Sequence, residues 1–158
     1  MKQLLKLLEK DAHITKEELA LMCEKETGDI KKMIDDYEKA GIILGYTTVI
    51  DWDKTDTEYV NALIELKVTP RVGSGYDEIA ERIYNYPEVE SVYLMSGGFD
   101  LAVMLRGKTM REVAIFVAAK LATIEAVTST ATHFVLRKYK DHNVIFGGAP
   151  VDERGNIL

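Results

Sequence analysis

The chain is 158 residues long, 47% hydrophobic and 29% charged, with a net charge of −6, three histidines and a single cysteine. This is the composition of a soluble globular protein of one domain or two small ones, and the negative charge weighs against a strongly basic nucleic-acid binder and against binding to an anionic membrane. One cysteine excludes an internal disulfide framework, and no apolar run approaches the roughly 18 residues of a membrane span, so the expected location is the cytoplasm, with no membrane partner.

In chain order, Leu4, Leu5, Leu7 and Leu8 form a broad apolar face on a first predicted helix, residues 2–10. Thr15-Lys16-Glu17-Glu18 is a capping box, in which the Thr15 hydroxyl and the Glu18 carboxylate satisfy opposing backbone amides, and it opens a second helix over about 16–23. Cys23 ends the apolar run Leu19-Ala20-Leu21-Met22 and reads as core packing. A third helix, with Thr27 as its N-cap, carries the stripe Ile30, Met33, Ile34 and Tyr37 and ends at Gly41. Three short helices with a tight break between the second and third have helix-turn-helix proportions. The extended stretch 42–50 is expected to form a wing, so residues 1–50 read as a winged helix-turn-helix domain. Residues 51–58, Asp-Trp-Asp-Lys-Thr-Asp-Thr-Glu, are a polar linker in which Trp52 is expected to anchor on a neighbouring surface.

Residues 59–140 read as a second domain. Val60, Ala62, Ile64, Leu66 and Val68 alternate with Asn61, Leu63, Glu65 and Lys67, a strand with one strongly apolar face. After a turn over 70–75, Ser74 caps a helix whose stripe is Tyr76, Ile79, Ala80 and Ile83 and which stops before Pro87. Two strands, 89–95 and 101–106, flank Ser96-Gly97-Gly98-Phe99-Asp100. Thr109-Met110-Arg111-Glu112 is another capping box, opening a helix that places Val113, Phe116, Val117, Lys120, Leu121 and Ile124 on one side. The last strand is expected over 127–139. The order βαββαβ predicts an α+β, ferredoxin-like domain with both helices on one face of an antiparallel sheet. The other face keeps too many apolar residues for water, with Tyr93, Met95 and Met104 as candidate interface positions, so a homodimer at least is expected. The remaining arm, 141–158, keeps Val144, Ile145, Phe146 and Val151, and reads as an extra strand laid on a partner or as a partly ordered tail.

Ser96–Asp100 carries the chemistry. Adjacent glycines let the backbone reach φ > 0 and leave N–H groups uncovered. A plain hairpin turn needs nothing more, but Asp100 adds a carboxylate beside the open amides, a pair suited to the two ends of a zwitterion. Turn and small-molecule contact both fit these residues. Elsewhere His13, His133 and His142 lack ligand-spaced partners, no glycine pattern precedes a helix to cradle phosphate, and no local signature links a nucleophile to a base. No metal, no cofactor and no catalytic residues are expected, and the chain does not read as an enzyme.

Leu4-Leu5-Lys6-Leu7-Leu8 with Asp11-Ala12, Glu18-Leu19-Ala20, Glu38-Lys39-Ala40-Gly41-Ile42-Ile43-Leu44-Gly45-Tyr46 and Ser96-Gly97-Gly98-Phe99-Asp100-Leu101 occur in an order and spacing that resemble the leucine-responsive and asparagine regulator (Lrp/AsnC) family of bacteria and archaea, over residues 2 to 140. The resemblance implies a transcription regulator that binds double-stranded DNA, senses an amino acid or similar small metabolite through its second domain, and assembles dimers into larger rings such as octamers. It places the effector at Ser96, Gly97, Gly98, Phe99 and Asp100, near a contact between dimers. It places DNA at the third helix, where Thr27, Lys31, Lys32, Asp35 and Lys39 are the candidate contacts.

The third helix departs from the family pattern of Ser, Arg and Lys after a glycine-containing turn. The turn here is Glu24-Lys25-Glu26, and Asp29, Asp35 and Asp36 join the lysines. Residues 1–50 hold eight Lys and no Arg against ten acids, a net of −2. Arg is the commonest bidentate reader of guanine, and acids offset the counterion-release contribution to affinity. The alternative is therefore a DNA-silent, effector-binding assembly protein that modulates a related regulator.

Overall fold

The computed structural model describes residues 2–69 and 75–147. The chain divides into two compact units, one made of the residues up to Ile50 together with the chain from Lys140 onward, the other of Asp51–Tyr139.

The first unit contains α1 (Lys2–Lys10), α2 (Lys16–Cys23) and α3 (Thr27–Lys39). Their apolar stripes meet in a small core of Leu4, Leu19, Ala20, Ile30, Ile34 and Tyr37, on which Cys23 also packs. The Thr15 capping box is complete: Glu18 N–H donates to Thr15 Oγ1 at 3.2 Å and Thr15 N–H to Glu18 Oε2 at 3.0 Å. The Thr15 amide, and then its hydroxyl, hold the Glu18 carboxyl below its usual range. α2 ends with Glu24 in the left-handed region, φ +52°, while Lys25 N–H reaches back to the Ala20 carbonyl at 2.9 Å.

Thr27 is not the N-cap of α3. Glu26 occupies that position without a side-chain bond, and Thr27 already lies in the first turn. The C-terminus follows the glycine rule: Gly41 at φ +66° lets Ile42 N–H bond the Tyr37 carbonyl and Gly41 N–H the Glu38 carbonyl, a Schellman motif. The expected wing is absent, because residues 42–50 have no strand partner among the described residues. The Tyr46 hydroxyl ties this stretch to α3 by donating to Glu38 Oε1 at 2.9 Å; burial, then that bond, raises the phenol's pKa. The described part of the C-terminal stretch holds a short hairpin. β5 (Lys140–Asp141) pairs with β6 (Val144–Ile145) across His142 and Asn143, both at positive φ, as a two-residue hairpin turn requires. Val151 lies outside the described residues.

The second unit is a four-stranded antiparallel sheet in the order β2-β3-β1-β4, with strands β1 (Val60–Val68), β2 (Val89–Leu94), β3 (Leu101–Gly107) and β4 (Val127–Phe134). Helices α4 (Gly75–Tyr84) and α5 (Met110–Phe116) contribute to one core with Ala62, Ile64, Leu66, Leu101, Val103 and Leu105 from the sheet. Each fully buried aliphatic side chain there contributes roughly 1.5–3 kcal/mol. The cap expected at Ser74 lies outside the described residues. Trp52 starts a single 3-10 turn, Trp52–Lys54, in the expected linker.

Two expectations in this unit need correction. β4 ends at Phe134, not at 139: Val135 N–H still bonds the Asn61 carbonyl, but β1 begins at Val60 and offers no further partner. Lys120 leaves the buried side of the last helix. A π turn over Val117–Leu121, with Ala122 N–H on the Val117 carbonyl at 2.8 Å, inserts a residue, so Leu121 and Ile124 stay buried while Lys120 faces out.

Candidate functional site

Ser96–Asp100 connects β2 to β3, with Met95 N–H donating to the Asp100 carbonyl at 2.8 Å. Ser96, Gly97 and Gly98 are exposed; Phe99 and Asp100 are half-buried. Gly97 has φ +141°, a conformation that L side chains rarely adopt. Gly98 does not have positive φ, and a Cβ there would meet nothing within 4 Å. The N–H groups of Gly97 and Gly98 make no hydrogen bond among the described residues, so the tip presents open donors.

Asp100 is a tie as well as a rim charge. Its N–H donates to the Leu66 carbonyl at 2.9 Å, and its Oδ2 accepts from Val68 N–H at 2.8 Å. The Tyr76 hydroxyl stands 3.5 Å from Oδ1. The Asp100 carboxylate thus already anchors the hairpin to β1. A carboxylate has about four lone-pair sites, so capacity remains for an ammonium group. Val68 and Tyr76 were not legible as partners, because both reach Asp100 only through the fold.

On α3, Thr27, Lys31, Lys32, Asp35 and Lys39 fall on one arc of about 140° at 100° per residue, which starts beside Ile34 at Thr27 and runs away from Ile30 and Tyr37. Lys31, Lys32 and Lys39 are exposed and make no ion pair among the described residues. Asp36 is exposed on the same flank and Asp35 is half-buried. At the end of β3 away from the hairpin, a cavity of about 310 Å³ opens between α5 and the sheet, floored by Leu105, Val113 and Phe116. Among the described residues no cluster of His, Cys, Asp or Glu could hold a metal, and no helix is long and apolar enough to cross a membrane.

The second unit is thus a small α+β domain of the βαββαβ class whose middle hairpin offers glycine amides beside a carboxylate. Residues 61–145 match the Lrp/AsnC ligand binding domain. The uncharacterized HTH-type transcriptional regulator YugG of Bacillus subtilis (strain 168) is 46% identical over 153 residues, 96% of this chain and 92% of the relative. The HTH-type transcriptional regulator FL11 of Pyrococcus furiosus is 26% identical over 89% of either chain. Among solved structures, the Neisseria meningitidis transcriptional regulator NMB0573, in complex with L-Met, shares the fold with a TM-score of 0.69 at 22% identity, covering 87% of this chain and 88% of that one. E. coli AsnC shares it with a TM-score of 0.65 at 20% identity over 85% and 89%. The chain belongs to the Lrp/AsnC family of transcriptional regulators.

Proposed function

We propose that the protein is an amino-acid-responsive transcription regulator, with α2 and α3 as a helix-turn-helix on double-stranded DNA and the Ser96–Asp100 hairpin as the effector site. The observation that carries this reading is the pairing of unbonded Gly97 and Gly98 amides with the Asp100 carboxylate at one strand connection. Backbone amides donate to a carboxylate without a side chain intervening, and an ionised carboxylate accepts from an ammonium group in the stronger, charge-assisted kind of bond. The L-Met bound to the similarly folded Neisseria regulator supports the same ligand class. A thermal-shift screen against the twenty amino acids tests it: a true effector at a hundredfold excess over its Kd stabilises by about 2.7 kcal/mol. A flat response to all twenty would remove amino acids as the effector.

Two copies joined through the open sheet face, and such dimers in a ring, complete the reading. Its support is the apolar content of that face, where Met104 and Leu63 stand in register and Tyr93 is 55% exposed. The second reading, a DNA-silent modulator, is favoured by the acids that share the α3 surface with its lysines. A gel shift at about 50 mM salt on the protein's own upstream region separates the two, since low salt maximises the phosphate contribution.

A further inference from the structure

The end of β3 away from the hairpin carries a chain of contacts that the ligand reading does not use. The β2–β3 register runs Val89↔Leu105 and then Ser91↔Met104, which leaves Glu90 as the extra residue of a β-bulge. Bulges re-aim a side chain, and here Glu90 Oε1 meets Arg106 Nη2 at 2.6 Å. The Arg106 guanidinium carbon lies 5.0 Å from the Tyr59 ring centroid, and Tyr59 meets Trp52 edge-on at 5.1 Å and 85°. Arg106 Nε is buried and has no hydrogen-bond partner. One carboxylate and one aromatic face therefore hold the guanidinium. Both ion-pair side chains are about one-third exposed, 30% and 36%, so the pair is neither fully screened nor fully desolvated.

We propose that Arg106 is a positioning residue that latches the 51–58 segment to the sheet. Fixed by the bulged Glu90, its guanidinium seats Tyr59, and Tyr59 seats Trp52, so the chain leading to residues 1–50 starts from a set point on the sheet. Unlatched, eight residues of polar chain would sweep up to roughly 26 Å from Tyr59. The latch calls for Arg: a planar guanidinium stacks on a ring and pairs with a carboxylate at once, whereas a lysine ammonium is a point charge.

The test is limited trypsin digestion of the full chain, read at Lys54, with acrylamide quenching of Trp52, the only tryptophan. When opening is fast relative to cleavage, cleavage tracks the open population. Arg106→Ala is expected to raise cleavage at Lys54 about fivefold, the factor that ~1 kcal/mol of cation–π contact gives, and to raise quenching of Trp52. Cleavage at Arg82 in α4, read where native-state fraying governs it, stays at the wild-type value, and the melting temperature falls by only the few degrees that the lost contact carries. Arg106→Lys, which keeps the charge and the stem, is expected to behave like the alanine variant and carries the test if alanine fails to fold. Glu90→Gln gives a smaller rise. A folded Arg106→Ala or Arg106→Lys protein with wild-type cleavage at Lys54 and wild-type quenching overturns the latch. So does an equal rise at Lys54 and Arg82, which marks general loosening.

Discussion

Asp100 ties the hairpin to β1 and is the proposed partner of the effector's ammonium, and substitutions can separate the two roles. Asp100→Ala strips the acceptor from Val68 N–H and is expected to lower stability by about 1–3 kcal/mol, the cost of an unsatisfied buried donor. Asp100→Asn keeps an oxygen for that amide and removes the charge, so it should melt near wild type yet bind the effector roughly tenfold or more weakly. Calorimetric titration of Asp100→Asn with the amino acid that stabilises wild type checks this; equal affinity removes Asp100 from the site. Glu24 presents a cleaner case. An L residue at φ +52° carries a steric cost that glycine avoids, so Glu24→Gly should raise stability by about 1 kcal/mol in urea unfolding, despite the extra entropy of the glycine. The sequence made Asp100 visible because a carboxylate beside two glycines is conspicuous. It hid the Val68 tie, which depends on where β1 ends relative to the hairpin, a long-range register that no local pattern encodes.

At the level of elements, the Thr15 box makes α2 sensitive to acid. Glu18 has a lowered folded pKa, so its contribution is present above the ordinary carboxylate value of about 4.3 and is lost as pH falls through the folded value. Glu18→Gln keeps an acceptor for Thr15 N–H without titrating, and urea melts from pH 6 to pH 3 should show a shallower acid decline than wild type. An identical slope in both proteins would assign the acid loss to other carboxylates. Apolar alternation made β1 and β3 legible, as the 3.6-residue stripes did for α1 to α4. Element ends were less so. Residues 42–50 look extended and β4 looks longer than it is, because strand propensity says nothing about whether a partner lies alongside. The π turn at Val117 kept the apolar order of an α-helix while displacing Lys120, which a fixed 100° wheel cannot anticipate.

For the molecule as a whole, the open sheet face is where assembly is tested. Rows Tyr93, Ala102, Glu65 and Ala131, and Ser91, Met104, Leu63 and His133, cross it in register, with His133 Nε2 3.2 Å from Glu65 Oε1. Tyr93, Ala102 and Ala131 in one row and Met104 and Leu63 in the other leave apolar surface around Glu65, and such surface suits a second copy better than water. Sedimentation velocity should therefore find at least a dimer, and Tyr93→Glu should shift it toward monomer by placing two buried charges at a self-facing patch. A concentration-independent wild-type monomer would rule the interface out. That the second unit would be ferredoxin-like was readable from the order of its elements alone. The contacts linking Trp52 to Arg106 were not, since nothing in residues 51–58 says which strand they meet.

The sheet order also sets a timetable. β1 is central, yet it is made first, and its neighbours β3 and β4 follow late in the chain: Val60 waits for Gly107 and Ala62 for Phe134. During synthesis at roughly 5–20 residues per second, the apolar row Ala62-Ile64-Leu66-Val68 is exposed for seconds with both edges unpaired. The three helices need only near neighbours. Pulsed amide exchange during refolding should show α1 to α3 protected well before β1, because distant pairings must first bear the entropy of closing long loops. Protection of β1 first would mean that the strand finds a partner other than the native ones, and the same stretch would then be where aggregation of the newly made chain begins.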